Sequence, residues 1–351
     1  MSTPYLHNVW YVAMWSENLL AGELKPRTIL DEPLVFFRDE AGRPVALQDR
    51  CPHRLVPLHM GRLVPGGRVR CGYHGLEFDE KGRCVHNPHG AGKIPPQARV
   101  RHFSMLEKHS LLWIWMGDAE PDASLIPDFS VLDVDAPWPV SQRDCIRMEV
   151  GLEHIVNNLL DLSHASFLHD GILGSAETAA ADMEVVERGD TILVRRENFD
   201  VPPPALFDML FRRDGANVDI YNEIRCDAPG NFLNDVSVRA PGTPRQQGTG
   251  IFGTHFLTPE TATTTHYHFA AARQNPLPVP PAELQSVQRR LGELRRQAFE
   301  QQDEPMMRAQ QREMQRLALH GDVRPMLLDI DAGPVRYQRV LERLMACERA
   351  A

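Results

Sequence analysis

The sequence predicts an all-β domain over residues 1–120 followed by an α+β domain over residues 121–351, the second an antiparallel sheet wrapped by helices. Three observations predict it. Short β-prone runs punctuated by glycine and proline fill the stretch from Trp10 to Asp118. A segment rich in Asp, Pro and Ala, Asp118 to Pro139, follows as a linker. Beyond it the pattern runs helix, then strands, then long helices, the order of an α+β domain. A chain of 351 residues is long enough for about two domains, each with a core of its own.

In the first domain, Leu34-Val35-Phe36-Phe37, Pro44-Val45-Ala46-Leu47 and Leu111-Leu112-Trp113-Ile114-Trp115 read as strands, and Gly66-Gly67 and Glu80-Lys81-Gly82 as hairpin turns. Trp113 and Trp115, alternating with Ile114, read as core. In the second domain Met148 to His169 has helical spacing, with Ile155, Leu159 and Leu162 on one apolar stripe and Gly171 as the stop. Strands return from Val185 to Ala272, and Gln274 to Pro281 is a proline-rich break. Ala282 to Leu319 is helical apart from Pro305, and a last helix lies near Val335 to Cys347.

Composition narrows the function. The net charge of −9 and the lack of a basic run argue against nucleic-acid binding. No run is apolar for the length of a membrane span, and Met1 to Trp10 lacks the basic-then-apolar form of a secretory signal. Six cysteines make no disulfide framework; Cys84, Cys145, Cys226 and Cys347 read as buried thiols in a reducing cytoplasm.

Chemistry concentrates first in Cys51-Pro52-His53-Arg54 and Cys71-Gly72-Tyr73-His74-Gly75, with 17 residues between His53 and Cys71. Each half offers one thiolate and one imidazole. Two sulfur and two nitrogen ligands are the set that holds a Rieske [2Fe–2S] cluster. Zinc also accepts two cysteines and two histidines, but zinc fingers usually group the cysteines in one half and the histidines in the other, whereas here each half is mixed. The first domain is therefore read as a Rieske domain passing single electrons. Val56 and Tyr73 supply no disulfide, and Leu76 supplies no hydroxyl beside the second histidine, which places the cluster at the low end of the Rieske potential range.

The second concentration is Asn158-Leu159-Leu160-Asp161-Leu162-Ser163-His164, continuing to His169. Asn158, Asp161 and His164 at i, i+3 and i+6 share one face of a helix. His169 can join His164 on one metal only where the helix ends or distorts between them. Two histidines and a carboxylate with open positions form the facial triad of non-haem Fe(II) oxygenases. Electrons delivered by a cluster need such an acceptor.

Together with Asn8-Val9-Trp10-Tyr11-Val12-Ala13, Gly75-Leu76-Glu77-Phe78 and Leu112-Trp113-Ile114-Trp115-Met116-Gly117-Asp118, these motifs make the chain resemble a Rieske non-haem iron oxygenase, α-subunit type, over nearly its whole length. It is most similar to the vanillate O-demethylase, dicamba monooxygenase and toluenesulfonate methyl-monooxygenase oxygenase components. The resemblance implies a helix-grip second domain, His164 and His169 as iron ligands, and Asp303 as the carboxylate ligand, with Glu304 or Glu300 as alternatives. Gln302 stands where relatives often have an acid, and Pro305 follows close behind. It further implies that Asp161 bridges a cluster histidine of one subunit and an iron-ligating histidine of its neighbour, in a head-to-tail homotrimer, with Asn158 beside the iron.

Asn234 and His255 match polar positions in the substrate pocket of these relatives, and Leu294 stands where one of them has an aromatic side chain. The implied partners are O2, an aromatic acid and a separate NAD(P)H-dependent reductase or ferredoxin, since no dinucleotide-binding glycine motif is present. The implied reaction is O-demethylation of a methoxylated aromatic acid. Ring or aryl-methyl hydroxylation and a non-catalytic electron carrier are the alternatives. His266 and His268 share a strand face and read as sheet or pocket residues. His86 and His89 read as surface imidazoles, and His154 as a packed one.

Overall fold

The computed structural model describes residues 5–276, 281–319 and 325–350. The chain divides into two compact units, residues 1–126 with 258–262, and residues 127–257 with 263–351.

The first unit is built from three small sheets. Trp10–Trp15, Leu111–Trp115 and Met105–Lys108 form one, antiparallel throughout, and Leu111–Trp115 is buried along its whole length. Lys25–Ile29, Glu32–Arg38, Pro44–Gln48 and His102–Phe103 form the second. Within Glu32–Arg38 the two-residue period of a strand divides the apolar run between two cores. Leu34 and Phe36 pack with Ile114 and Leu112, while Val35 and Phe37 pack with Cys51 and Cys71. The third sheet, Arg62–Val64, Arg68–Arg70, Glu77–Phe78 and Cys84–His86, suspends the Cys71 loop between its second and third strands. Gly82 turns its last hairpin with φ +72°, and a Cβ there would lie 2.2 Å from the Val100 carbonyl oxygen, so no other residue fits.

The second unit holds a seven-stranded antiparallel sheet. Its order is Asp144–Met148, Thr264–Gln274, Thr249–Thr261, Asn231–Arg239, Val218–Asp227, Thr191–Val201 and Met183–Arg188. One face carries Ile146, Tyr267, Phe269, Leu257 and Phe232 into a core shared with the helices Leu152–Leu160 and Ala332–Ala350. Among the described residues no helix is long and apolar enough to cross a membrane.

Several expectations need correction. The span from Met148 to His169 is not one helix. Met148 ends a strand, the helix stops at Leu160, Asp161 is extended (φ −92°, ψ 91°), and a short second helix runs Ala165–Leu168. The Asp118–Pro139 segment is not a solvated linker throughout, because Ile126, Phe129 and Leu132 are buried. Cys347 is exposed, while Cys84 and Cys226 are buried thiols. Ala282 to Leu319 is interrupted by a π-helix, Gln297–Asp303, and Pro305 follows it at the start of Glu304–Ala318. Most of the proline-rich break, residues 277–280, lies outside the described residues.

Candidate metal centres

The two cysteine–histidine loops have the same backbone shape. Cys51 N donates to the Val56 carbonyl (2.9 Å) and Leu55 N to the Cys51 carbonyl (2.9 Å); Cys71 N donates to the Leu76 carbonyl (2.8 Å) and Gly75 N to the Cys71 carbonyl (3.1 Å). Leu55 and Gly75 both take positive φ, 59° and 73°, to close their loops. The loops meet through Gly61 and Gly72: a Cβ at Gly61 would fall 2.0 Å from the Arg70 carbonyl oxygen, and one at Gly72 would fall 2.7 Å from that of Met60. The thiols of Cys51 and Cys71 are adjacent and buried. Burial pushes the Cys51 thiol up to about 11, and the neighbouring Cys71 adds to this. The backbone N–H groups of His53 and Arg54, aimed at the sulfur, oppose it. Bound iron would supply the positive charge that favours the Cys51 thiolate over the thiol. His53 and His74 lie outward with ring centroids 4.5 Å apart. Sulfur ligands within and imidazoles toward solvent fit a cluster with one iron held by two cysteines and the other by two histidines. His89 is exposed, as expected, and its Nε2 lies 2.8 Å from the His74 carbonyl oxygen.

The second centre lies wholly in the second unit. Ligand atoms of His164, His169 and Asp303 fall within 4.8 Å of one another, the one such group among the described residues. Asp303 Oδ1 is 3.2 Å from His169 Nε2 and 3.7 Å from His164 Nε2. Two ligands each about 2.1 Å from one ion, at right angles, lie about 3 Å apart, so the spacing suits a shared metal. Both Nδ1 atoms are engaged elsewhere, His164 with the Asp161 backbone carbonyl and His169 with Gln302 Oε1 at 2.8 Å. This fixes the tautomer that leaves each Nε2 free to ligate. Asn158 Nδ2 donates to Asp303 Oδ1 at 3.3 Å. The break in the helix at Asp161, rather than a common helical face, brings Asn158 and His164 together. The π-turn places Asp303 and Phe299 on the buried side of one helix. Burial disfavours protonated His169, but the Asp303 carboxylate and Gln302 outweigh it and raise the group. Glu304 instead accepts from Glu149 N at 3.0 Å and Glu300 pairs with Arg296 at 2.6 Å, so neither joins the group.

Gln302 is a residue whose part the sequence conceals. Gln302→Ala is expected to weaken iron binding about 10- to 100-fold, measured by competition with a chelator, with the cluster spectrum unchanged. Retention at wild-type strength would mean that His169 is oriented by packing alone.

Asn234 and His255 lie on the sheet face that carries Tyr267. Asn234 pairs with Gly253, and a Cβ on Gly253 would lie 3.3 Å from His255 Nε2 and 3.6 Å from Asn234 Cβ. The Tyr267 hydroxyl and His255 Nδ1 share a hydrogen bond of 2.7 Å. Burial and then the charge of Arg295 push His255 down to about 3, so it works as a neutral imidazole. Its ring meets Phe299 edge-on at 5.7 Å. Phe299 in turn lines a cavity with Ile172, Ile251, Leu291, Leu294 and Arg295; neither Asn234 nor His255 is among its described lining. Arg295 is the second residue that sequence reasoning missed, because a pair of arginines on a charged helix reads as solvated. His266 and His268 are buried sheet residues, away from any group of metal ligands among the described residues.

The Rieske [2Fe-2S] domain family matches residues 9–103, and the vanillate O-demethylase oxygenase C-terminal domain family matches residues 148–347. The oxygenase component of dicamba O-demethylase from Stenotrophomonas maltophilia is 37% identical over 99% of each chain. The vanillate O-demethylase oxygenase subunit of a Pseudomonas species is 30% identical over 98% of this chain and 96% of its own. A crystal structure of dicamba monooxygenase bound to 3,6-dichlorosalicylic acid superposes with a TM-score of 0.91, at 35% identity and 99% coverage of both chains. These matches leave the electron-carrier and ring-hydroxylation alternatives without support. With two loops shaped for a cluster, two histidines and an aspartate grouped for iron, and relatives matched end to end, the chain belongs to the Rieske non-haem iron oxygenases. It is an oxygenase component of the aromatic O-demethylase family, with a [2Fe–2S] cluster and a mononuclear iron as its cofactors.

Proposed function

We propose that this chain removes the methyl group of a methoxylated aromatic acid, hydroxylating the methoxy carbon to a hemiacetal that collapses to phenol and formaldehyde. One aryl methyl ether, one O2, two electrons and two protons give one phenol, one formaldehyde and one water. The convergence of His164, His169 and Asp303 carries the reading. When bound there, iron supplies O2 activation, fed with electrons by a cluster on Cys51, His53, Cys71 and His74.

The chain's own residues set the geometry. Gln302 and the Asp161 carbonyl hold the two imidazoles, and Asn158 holds the Asp303 carboxylate. Phe299, Tyr267 and Phe269 pack ring against ring beside the site, an apolar wall of the kind that excludes water. Asn234 and His255 are proposed to touch substrate. A separate NAD(P)H-dependent reductase or ferredoxin docks beside His53 and His74, the outward-facing ligands. The working form is a head-to-tail homotrimer in the cytoplasm, in which Asp161 links a cluster histidine of one subunit to an iron ligand of the next.

The test is formaldehyde released per O2 consumed by the reconstituted protein with reductase and NADH, over methoxybenzoates and the matched methyl and unsubstituted acids. Formaldehyde close to one per O2 from a methoxy acid is the expected result. O2 uptake with a hydroxylated product and no formaldehyde would retain the oxygenase and reject the demethylase.

A further inference from the structure

The guanidinium of Arg295 is in an unusual position for a charged group. Its Nε, Nη1 and Nη2 are all buried, and none has a hydrogen-bond partner among the described residues. A guanidinium carries five N–H donors, and leaving them unmet away from water is costly. Burial pulls Arg295 below the usual arginine value, and Asp144 and Tyr267 oppose that only through space. Asp144 is itself held by the next residue, Arg296, at 2.5 Å. The guanidinium carbon lies 5.6 Å from the centroid of the Phe269 ring.

What Arg295 faces is the apolar cavity already described, walled by Ile251, Leu291, Leu294 and Phe299. The last of these stands four residues, about one π-turn, before Asp303. Arg273 lines the same cavity, and no acidic side chain is among the described lining. The cavity wall is apolar, and two arginines rather than any acid stand among its described lining residues. A cation without a partner there persists because something else completes it.

We infer that Arg295 is the residue that selects an acid, taking the carboxylate of a single-ring aromatic substrate in a two-point hydrogen bond while the ring fills the apolar wall. This rests on the demethylase reading and sharpens it. The anion is recognised by a formal charge rather than by Asn234 and neutral His255. Planar, forked donors match a carboxylate, and also accept one edge of a sulfonate. The cavity, about 70 Å³, is smaller than a benzoate, so binding requires side chains of its wall to shift as the ring enters.

The test is calorimetric binding to the holo-oxygenase of para-methoxybenzoate, para-methoxybenzenesulfonate and para-methoxybenzamide, with the ortho and meta isomers of each. Wild type is expected to bind the best acid about 100-fold or more above its amide. Arg295→Met is expected to bind acid and amide within a few-fold of each other, and Arg295→Lys to keep part of the preference. Because it removes a buried charge with no partner, Arg295→Met is also expected to raise the melting temperature of the ligand-free protein; a purely structural arginine would lower it. The proposal is overturned if no acid outbinds its amide in wild type, or if the ratio survives Arg295→Met. Formaldehyde assays separate the two readings. Acid selectivity lost in the variant, without formaldehyde from any wild-type reaction, keeps this inference and rejects demethylation. Equal formaldehyde from acid and amide in both proteins does the reverse.

Discussion

Asp303→Ala is expected to yield a folded protein with a normal Rieske spectrum, about one iron fewer per chain, and turnover reduced at least about 1000-fold. Asp303 is the one carboxylate in the His164–His169 group, and it is nearly fully buried. Two neutral imidazoles alone hold a divalent ion weakly, and the loss of the third donor also frees Asn158 from its contact. Asp303→Glu should fail almost as badly, because the longer side chain moves the oxygen by more than the site tolerates. Iron content and single-turnover product decide the matter. A variant that keeps its second iron and its turnover would move the ligand role to another residue and undo the proposed site.

Asp161→Asn is expected to separate chemistry from electron supply. Both metal centres should remain, since the contact to His164 uses the Asp161 backbone carbonyl and not its side chain. NADH-driven turnover should nevertheless fall about 100-fold, because the carboxylate proposed to join neighbouring subunits is lost. Within one chain that carboxylate accepts from Ser163 N at 2.9 Å and feels the charge of Arg196. Asparagine retains the Ser163 contact, so the local fold is kept. Stopped-flow reduction of the cluster should stay fast while its reoxidation by substrate and O2 slows. Reoxidation at the wild-type rate would take Asp161 out of the electron path.

Much of this was legible in the sequence for a physical reason: metals impose residue types at fixed spacing. The Cys51–His53 and Cys71–His74 halves stand out because few other uses call for that mixture, and His164 and His169 follow from the acceptor the cluster requires. Strand runs such as Leu111–Trp115 were plain from composition alone. The break at Asp161 was not. Its neighbours have helical spacing on either side, and only the tertiary demand that His164 and His169 face Asp303 opens the helix. The π-turn was hidden for a similar reason: Gln297–Asp303 differs from an α-helix by its hydrogen-bond partners, with Pro305 the one outward sign. Gln302 looked like a lost acid, yet it accepts from His169 through its amide oxygen. Arg295 had no signal at all, since neighbouring Arg296 has the same side chain and an exposed ion-paired role.

The placement of the Rieske cysteines bears on how the protein matures. Cys51 and Cys71 belong to the same core as Val35, Phe37 and Leu58, whereas His53 and His74 stand at the surface. An incoming cluster can meet the imidazoles from outside, whereas the two thiols are set inside that core. Loading of the cluster and packing of this core are therefore coupled. A cell short of iron–sulfur precursors would accumulate a first domain that has not closed, exposed to proteases before any question of catalysis arises.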